Sequence, residues 1–133
     1  MTSSNSHSRG RPLSPHLGIW RWGPAMAVSI LHRAAGQGMA FVGIPVFLWF
    51  LGALASGPAA WETFAGQAGA WYGQVVLIGL SWAFFEHMTS GLRHFVLDVG
   101  AGYELDTNAA WSWAVPAIAI VLTALFWAAV YLR

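Results

Sequence analysis

Two histidines and an arginine lie in a short stretch of an otherwise apolar run, and they are the residues best suited to chemistry. The stretch extends from His87 to His94, with Arg93 next to its end. The surrounding run, about residues 71–97, is apolar enough to cross a bilayer, where a charged side chain costs roughly 2.5–3.5 kcal/mol at the centre. Two imidazoles and a guanidinium within two helical turns therefore suggest a metal cofactor, an anion site or a proton path.

The composition of the chain places it in a membrane. The chain is 57% hydrophobic and 8% charged, with no Lys and no Cys, whereas a soluble domain carries about 25% charged residues. Without Cys, disulfides and iron–sulfur ligation are excluded, so any iron must be held by His. The net charge of +1 gives no indication of nucleic-acid binding, and we expect none. Nine Trp residues are typical of membrane–water interfaces.

The apolar runs predict an all-α membrane protein with three transmembrane helices. Each run meets the length of about 20 residues that a bilayer core requires. The predicted helices cover about residues 28–55, 71–97 and 111–132. We expect a disordered tail over residues 1–10, an interfacial segment over about residues 11–24, and one anchor domain over residues 11–133.

The connections between these helices are predicted from prolines and glycines. Pro45 is expected to kink the first helix, and Pro116 lies in the predicted opening turns of the third, where proline is tolerated. We predict linkers over about residues 56–70 and 98–110, the second with Gly100 and Gly102 as turn formers.

The distribution of arginines predicts the orientation. All but Arg133 lie near one side of the predicted bundle, and the positive-inside rule places that side in the cytoplasm. The N-terminus is then cytoplasmic and the C-terminus periplasmic. An N-terminus without an Arg-rich presequence favours a bacterial inner membrane.

The helical spacing predicts two tiers of polar groups. His87, Ser90, Gly91, His94 and Asp98 share one stripe of the second helix, and a rise of 1.5 Å per residue puts His87 about 16 Å from Asp98. We expect His87 near mid-bilayer and a shallower polar cluster near the cytoplasmic interface. The members of that cluster are Ser29, His32, Arg33, Arg93, His94 and Asp98.

This arrangement suits an upright haem. A low-spin haem takes axial His ligands, and its propionate groups accept hydrogen bonds from Arg and His side chains. Gly36, Gly38 and Gly91 would let a flat macrocycle approach the backbone.

The second axial ligand is expected from another chain. His87 and His94 are about 10 Å apart along one helix, and His32 is predicted shallower than His87 by a similar distance. The rival pairing is His32 with His94.

Simpler interpretations stand beside each of these hypotheses. A membrane His often only hydrogen-bonds a neighbouring helix. Arg33 and Arg93 can serve as topology anchors, and the Ser29 hydroxyl can bond its own helix. Glu86 has no firm role, and a carboxyl at that depth is expected to be neutral or paired.

Two blocks of the sequence resemble a known family. Residues 11–17 with Ser29-Ile30-Leu31-His32-Arg33, and then residues 87–98, resemble the two signatures of the cytochrome b membrane-anchor subunit of succinate dehydrogenase. The resemblance covers about residues 11–132. One departure is Ala35, where the family usually has a hydroxyl residue, and Glu86 has no expected counterpart.

The resemblance implies roles for individual residues. His87 matches the axial ligand of haem b, with its partner ligand from a sibling anchor subunit. Ser29 and Arg33 match residues of the ubiquinone site. His32, Arg33 and His94 match the haem propionate region, where the predicted polar cluster also puts Arg93.

The resemblance also implies a membrane complex with four kinds of subunit. A flavoprotein oxidises succinate, an iron–sulfur subunit passes electrons to the membrane, and two hydrophobic anchors bundle together and complete the quinone pocket. The chain alone would be non-catalytic, as part of a succinate:quinone oxidoreductase that serves electron transport and the tricarboxylic acid cycle. A trimeric assembly of the complex stays open. The alternatives are a non-redox scaffold, a component of a proton-coupled transporter, or the anchor of a fumarate reductase.

Overall fold

The computed structural model describes residues 22–133, and these are almost entirely helical. The helices, in chain order, are α1 Pro24–Gly38, a π-helical turn Met39–Gly43, α2 Ile44–Ser56, α3 Pro58–Gly69, α4 Trp71–Asp98 and α5 Leu105–Tyr131. The prediction of an all-α protein is confirmed. The predicted tail, and the interfacial segment as far as residue 21, lie outside the described residues.

Three helical stretches are long and apolar enough to cross a membrane, which confirms the three predicted spans. They are Pro24–Ser56, Trp71–Asp98 and Leu105–Tyr131. The first span begins four residues before its predicted start, because Pro24 fits the first helical position, where its missing N–H is not needed. This earlier start sets the depth of every polar residue on α1.

Pro45 disturbs the first span in a specific way. The residues just before it, Met39–Gly43, form a π-helical turn, and the N–H of Ile44 bonds the carbonyl of Met39. A proline inside a helix removes one backbone donor, and a π turn is one way to absorb that loss without ending the helix. The helix therefore continues to Ser56.

The prediction of a plain linker over about residues 56–70 is wrong, because α3 fills most of it. Gly57, at φ +97°, ends α2, and Pro58 begins α3 immediately afterwards. Phe64 holds α3 to α2, with its ring 5.0 Å from Trp49 and 5.7 Å from Phe50 between centroids. At 12 residues α3 is about 18 Å long, too short to cross a bilayer core of about 30 Å.

The turn between α4 and α5 confirms the predicted glycines. Gly100 and Gly102 have φ angles of +83° and +78°, which only glycine adopts readily. The N–H of Ala101 bonds the carbonyl of Val96 at 3.2 Å, and the N–H of Gly100 bonds Leu97 at 2.9 Å. These paired bonds form the Schellman ending of a helix, so α4 ends sharply at Asp98.

Helix α5 begins earlier than predicted, and the placement of Pro116 in its opening turns is therefore wrong. The helix starts at Leu105, with Asp106 in its first turn, so Pro116 lies inside it. An acidic residue in the first turn stabilises a helix N-terminus. Apolarity alone misses this polar first turn, because it locates only the part of the helix that lipid would surround.

Helices α1, α4 and α5 pack against one another, and their shared interior is mostly made of small side chains. Its apolar members are Val28, Ala35, Ala83, Val115 and Ala119. Polar residues lie in the same interior: Glu86, Ser90 and Arg93 on α4, and Ser112 and Thr123 on α5. Large apolar side chains such as Phe41 and Leu125 instead cover the outside, as a lipid-facing surface requires.

Candidate functional site

Three imidazoles converge between α1 and α4. The rings of His32 and His87 stack with centroids 4.1 Å apart and planes 13° apart. The ring of His94 lies 5.3 Å from that of His32 and is tilted by 52°. The structure thus joins His residues that are far apart in sequence into one group.

This contact corrects the predicted separation of His32 and His87 into two tiers. Because α1 starts at Pro24 and not at residue 28, His32 lies about 6 Å deeper than predicted. Counted from the ends Pro24 and Asp98, His32 and His87 then differ in depth by only about 4 Å. The depth of His87 relative to His94 on α4 follows the prediction.

One hydrogen bond fixes the protonation pattern of His87. Its Nδ1 lies 3.1 Å from the backbone carbonyl oxygen of His32. Because a carbonyl oxygen can only accept, Nδ1 must carry the hydrogen, and the Nε2 of a neutral ring keeps its lone pair. An imidazole that donates from one nitrogen to a backbone carbonyl is typical of metal-ligating His residues.

Gly36 makes room for that imidazole. A Cβ at Gly36 would lie 2.9 Å from Cε1 of His87 and 3.1 Å from its Nδ1. Any larger residue would therefore press on the ring. Gly38 and Gly91 are different, since a Cβ at either would meet nothing within 4 Å. The predicted approach of a macrocycle at these two glycines stays a prediction.

A polar cavity of about 500 Å³ surrounds this group. It brings together most of the predicted site residues and adds Gln37, which the sequence analysis missed. The residues that line it are Ser29, His32, Arg33, Gly36, Gln37, His87 and His94. Gln37 follows Arg33 by one helical turn, and a primary amide inside an apolar span was the signal that could have identified it.

The hydroxyl of Ser29 is free to bind a ligand. Several other hydroxyls of the helices bond a carbonyl of their own helix, such as Ser81 to Leu77 at 2.8 Å and Thr123 to Ala119 at 2.7 Å. Ser29 makes no such bond within residues 22–133. The simpler interpretation, a hydroxyl bonded to its own helix, does not describe it.

The structure places Arg93 outside this group. Its Nη2 donates to Oδ1 of Asn108 and, at 3.4 Å, to Oγ of Ser112, both on α5. Ser90, predicted on the stripe of His87 and His94, is also fully buried in the bundle. On a helix of 3.6 residues per turn, Ser90 points about 40–60° away from the two His residues, and Arg93 about 100–120° away. The predicted stripe therefore divides into two adjacent faces of α4. His87 and His94 face the cavity, whereas Ser90 faces the bundle interior together with Arg93.

Neither Asp98, a member of the predicted polar cluster, nor Glu86, which had no predicted role, lines the cavity. Asp98 is exposed at the end of α4, and the described part of the chain gives it no ion pair. Glu86 precedes His87 but faces the bundle interior, where it is fully buried. Arg33 therefore lines the cavity without an acidic neighbour among its lining residues, and its side chain is exposed.

No pair of these His residues suits the two axial positions of one iron. Metal–nitrogen bonds of about 2 Å on each side place coaxial imidazole centres about 6 Å apart, with the nitrogens facing each other. The His32 and His87 rings instead stack face to face. The rival pair, His32 and His94, is closer than this at 5.3 Å, and its planes are oblique.

A larger cavity, of about 600 Å³, lies between the π turn, α2, α3 and α4. Its wall is almost entirely apolar, including Met39, Phe47, Phe50 and Leu80. Without a polar group it cannot orient or polarise a substrate, so the smaller polar cavity is the candidate site.

Comparison with known proteins identifies the family. The family model described as the succinate dehydrogenase/fumarate reductase transmembrane subunit matches residues 7–126. The succinate dehydrogenase cytochrome b556 subunit of Paracoccus denitrificans is 36% identical over 115 residues, which is 86% of this chain and 88% of that protein. The corresponding subunit of Rickettsia felis is 32% identical over 117 residues, 88% of this chain and 90% of the relative.

A mitochondrial relative indicates the same family. The cytochrome b560 subunit of succinate dehydrogenase from Mus musculus is 33% identical over 114 residues, which is 76% of this chain and 57% of that protein. The family match spans both sequence blocks, all three membrane helices except the last turn of α5, and the whole polar cavity. The chain therefore belongs to the family of succinate dehydrogenase and fumarate reductase transmembrane subunits.

Proposed function

We propose that this chain is the cytochrome b anchor subunit of a succinate dehydrogenase, and that His87 is an axial ligand of its haem b. The observation that carries the proposal is the bond from Nδ1 of His87 to the His32 carbonyl, which leaves Nε2 as a ligand atom. The relatives are named cytochrome b subunits of succinate dehydrogenase, and this name is consistent with a His-held iron in a chain without Cys.

The residues around His87 fit a haem better than a bare metal ion. Within residues 22–133 no group of three or more His, Asp or Glu side chains could hold a metal ion. A porphyrin brings four of the ligands itself, so a single protein nitrogen on one side is sufficient. When bound, haem b supplies one-electron transfer. Because the three His residues within residues 22–133 do not suit both axial positions, we propose that the sibling anchor subunit supplies the second ligand.

The other cavity residues have distinct roles in this proposal. His32, Arg33 and His94 lie toward the start of α1 and the end of α4, where they would donate hydrogen bonds to the haem propionates. Arg93 is directed to α5 and would not take part. Ser29 would donate a hydrogen bond to one carbonyl of ubiquinone, and Arg33 would stabilise negative charge that develops on it.

The proposal includes the surroundings of the chain. We place it in a bacterial inner membrane, with Pro24, Asp98 and Leu105 toward the cytoplasm and Tyr131 toward the periplasm. The flavoprotein and iron–sulfur subunits would dock on the cytoplasmic side, next to the polar cavity, and the second anchor would close the cavity from the lipid side. Complexes could further assemble into trimers.

A spectrum of the intact complex tests the proposed function. We expect the chain, purified from its native membrane, to carry flavoprotein, iron–sulfur and second anchor subunits with it and to show b-type bands that succinate reduces. A complex without such bands would support a scaffold. Bands that a quinol reduces and fumarate then reoxidises, but that succinate does not reduce, would support a fumarate reductase.

Replacing Gly36 by Ala is expected to weaken haem binding without unfolding the chain. The new Cβ would come within 2.9 Å of the His87 ring and push its Nδ1 away from the His32 carbonyl. Loss of such an outer hydrogen bond typically lowers metal affinity by about 10–100-fold. Haem retained per flavin during dilution of the purified complex measures the effect.

The matched control for this change is Gly52→Ala, in α2 and away from the polar cavity, where the added methyl group meets nothing within 4 Å. Equal haem retention in both variants would show that the close contact of Gly36 with His87 does not orient a ligand.

Replacing Ser29 by Ala is expected to impair ubiquinone binding modestly. A hydrogen bond of about 1 kcal/mol corresponds to a roughly fivefold fall in kcat/KM for ubiquinone. Succinate:ubiquinone reductase activity measures it, with Ser81→Ala as the control, since the Ser81 hydroxyl bonds Leu77 and Trp127 far from the cavity. An unchanged kcat/KM in the Ser29 variant would remove Ser29 from the quinone site.

A further inference from the structure

The interior of the bundle contains a row of polar side chains that the proposed site does not use. Glu86, Ser90 and Arg93 follow one another by about one helical turn each on the face of α4 that packs inside the bundle. Glu86 and Ser90 are 0% exposed and Arg93 is 7% exposed. A carboxyl, a hydroxyl and a guanidinium are thus enclosed at membrane depth.

Several polar atoms of this row have no hydrogen-bond partner among the described residues. They are both carboxyl oxygens of Glu86, the hydroxyl of Ser90 and Nε of Arg93. Leaving a buried polar group unsatisfied costs about 1–3 kcal/mol, and more for a charged one. Native proteins rarely accept this cost at four neighbouring atoms, so something must satisfy them.

A partner subunit cannot reach these atoms. Each of them is enclosed by this chain alone, unlike the side chain of Arg33, which is exposed on the cavity wall. Haem and quinone are excluded for the same reason, since neither fits inside a closed three-helix interior. Whatever satisfies the row must therefore be small enough to lie within the bundle.

The chemistry of the row selects among small molecules. Nε of Arg93 is a donor and needs an acceptor, whereas a carboxylate at Glu86 needs a donor. Water does both, and buried waters typically make about three such bonds. A metal cation satisfies only the oxygens, and the positive charge of Arg93 on the same row opposes its binding.

The structure also shows a small cavity at the Arg93 end of the row. At the depth of Glu86 the other buried side chains of the bundle include Ala35 and Ala119, which are small. Nearer the α4–α5 turn, a cavity of about 10 Å³ lies beside Arg93, lined also by Val96, Leu97, Gly102 and Trp111. That volume is close to the minimum for one water molecule, about 10–15 Å³.

The row is continuous with polar groups at the end of the bundle. Arg93 donates to Asn108 and Ser112, and Ser112 donates to the Asn108 carbonyl at 2.6 Å. Asn108 lies in the first turns of α5, close to where α4 ends. Polar atoms therefore extend from the level of His87 to the α4–α5 turn, on a different face of α4 from the cavity.

From these observations we propose that Glu86, Ser90 and Arg93 hold a file of internal water molecules between α1, α4 and α5. The file stabilises the buried Arg93 and fixes it toward α5. It is separate from the polar cavity and does not depend on the haem assignment.

A structure of the complete complex by electron cryomicroscopy at about 2 Å resolution tests this proposal. We expect water density within hydrogen-bond distance of Glu86, Ser90 and Nε of Arg93. In the Glu86→Leu variant we expect the water at the Glu86 level to be lost and the one beside Arg93 to remain, while Glu86→Gln retains both. Direct bonds from these atoms to protein groups, a bound cation, or a dry row would each overturn the proposal.

Radiolytic hydroxyl-radical labelling gives a second measurement that needs no high resolution. Bound water generates radicals where it lies, so the labelling of Glu86 and of Arg93, each divided by the intrinsic reactivity of that side chain toward hydroxyl radical, is expected to exceed the corresponding value for Phe64. Phe64 is the control because it lies buried among aromatic rings. Normalised labelling of Glu86 and Arg93 at or below that of Phe64 would contradict the proposal.

Discussion

Replacing His87 by Gly is expected to remove haem b from the complex. The Nε2 of His87 is the ligand atom that its bond to the His32 carbonyl leaves available, and the other two imidazoles of the group are not placed to substitute for it. We expect the b-type absorption per flavin to fall at least tenfold in the purified complex. A reduced-minus-oxidised spectrum measures the loss.

Two controls separate loss of a ligand from loss of the fold. Met88→Ala changes the adjacent residue, whose side chain is exposed on the outside of α4, and is expected to keep the haem. Imidazole added to the His87→Gly complex during haem loading is expected to restore part of the absorption. Full haem content in His87→Gly without imidazole would exclude His87 as an axial ligand.

Replacing Arg33 by Ala is expected to slow ubiquinone reduction by about 10²-fold or more, the effect of removing one preorganised group that stabilises developing negative charge. Arg33 lines the polar cavity together with Ser29, and within the described chain no carboxylate neutralises it. The kcat of succinate:ubiquinone reductase measures the effect, while succinate oxidation with a water-soluble acceptor is expected to be unchanged.

Arg133→Ala is the matched control for charge, because it removes an arginine at the far end of the chain. Arg33→Lys is expected to retain part of the activity, since a point charge remains but the planar donor fork does not. If Arg33→Ala reduced ubiquinone at the rate of the Arg133→Ala control, Arg33 would be only a topology anchor.

Much of the fold could be predicted because membrane helices are defined by length and apolarity. The three spans, the glycines at positions 100 and 102 and the disturbance at Pro45 all follow from single residues or runs. Helix α3 was missed because it is too short to span a membrane, although the pair Gly57-Pro58 is a typical signal for one helix ending and another beginning.

The residues of the candidate site were predicted better than their arrangement in space. Five predicted residues, Ser29, His32, Arg33, His87 and His94, line one cavity. The predicted depth of His32 in the membrane was wrong because it depends on where α1 begins. Apolarity alone does not indicate that Pro24 starts this helix.

The direction of Arg93 could not be predicted for a different reason. Near the end of a membrane helix, an arginine can turn toward water, toward a cofactor or into the bundle, and helical spacing does not distinguish these. The choice depends on Asn108 and Ser112, which lie on α5 and accept hydrogen bonds from Arg93. Such a contact between distant parts of the sequence requires the tertiary structure.

The most direct test of the central claim is a structure of the complete complex that resolves the haem and its ligands. We expect the iron to be bonded to Nε2 of His87 on one face and to a residue of the sibling anchor on the other, with Nδ1 of His87 still donating to the His32 carbonyl. An iron bound by other residues, or a His87 whose Nε2 merely bonds a neighbouring helix, would contradict the account.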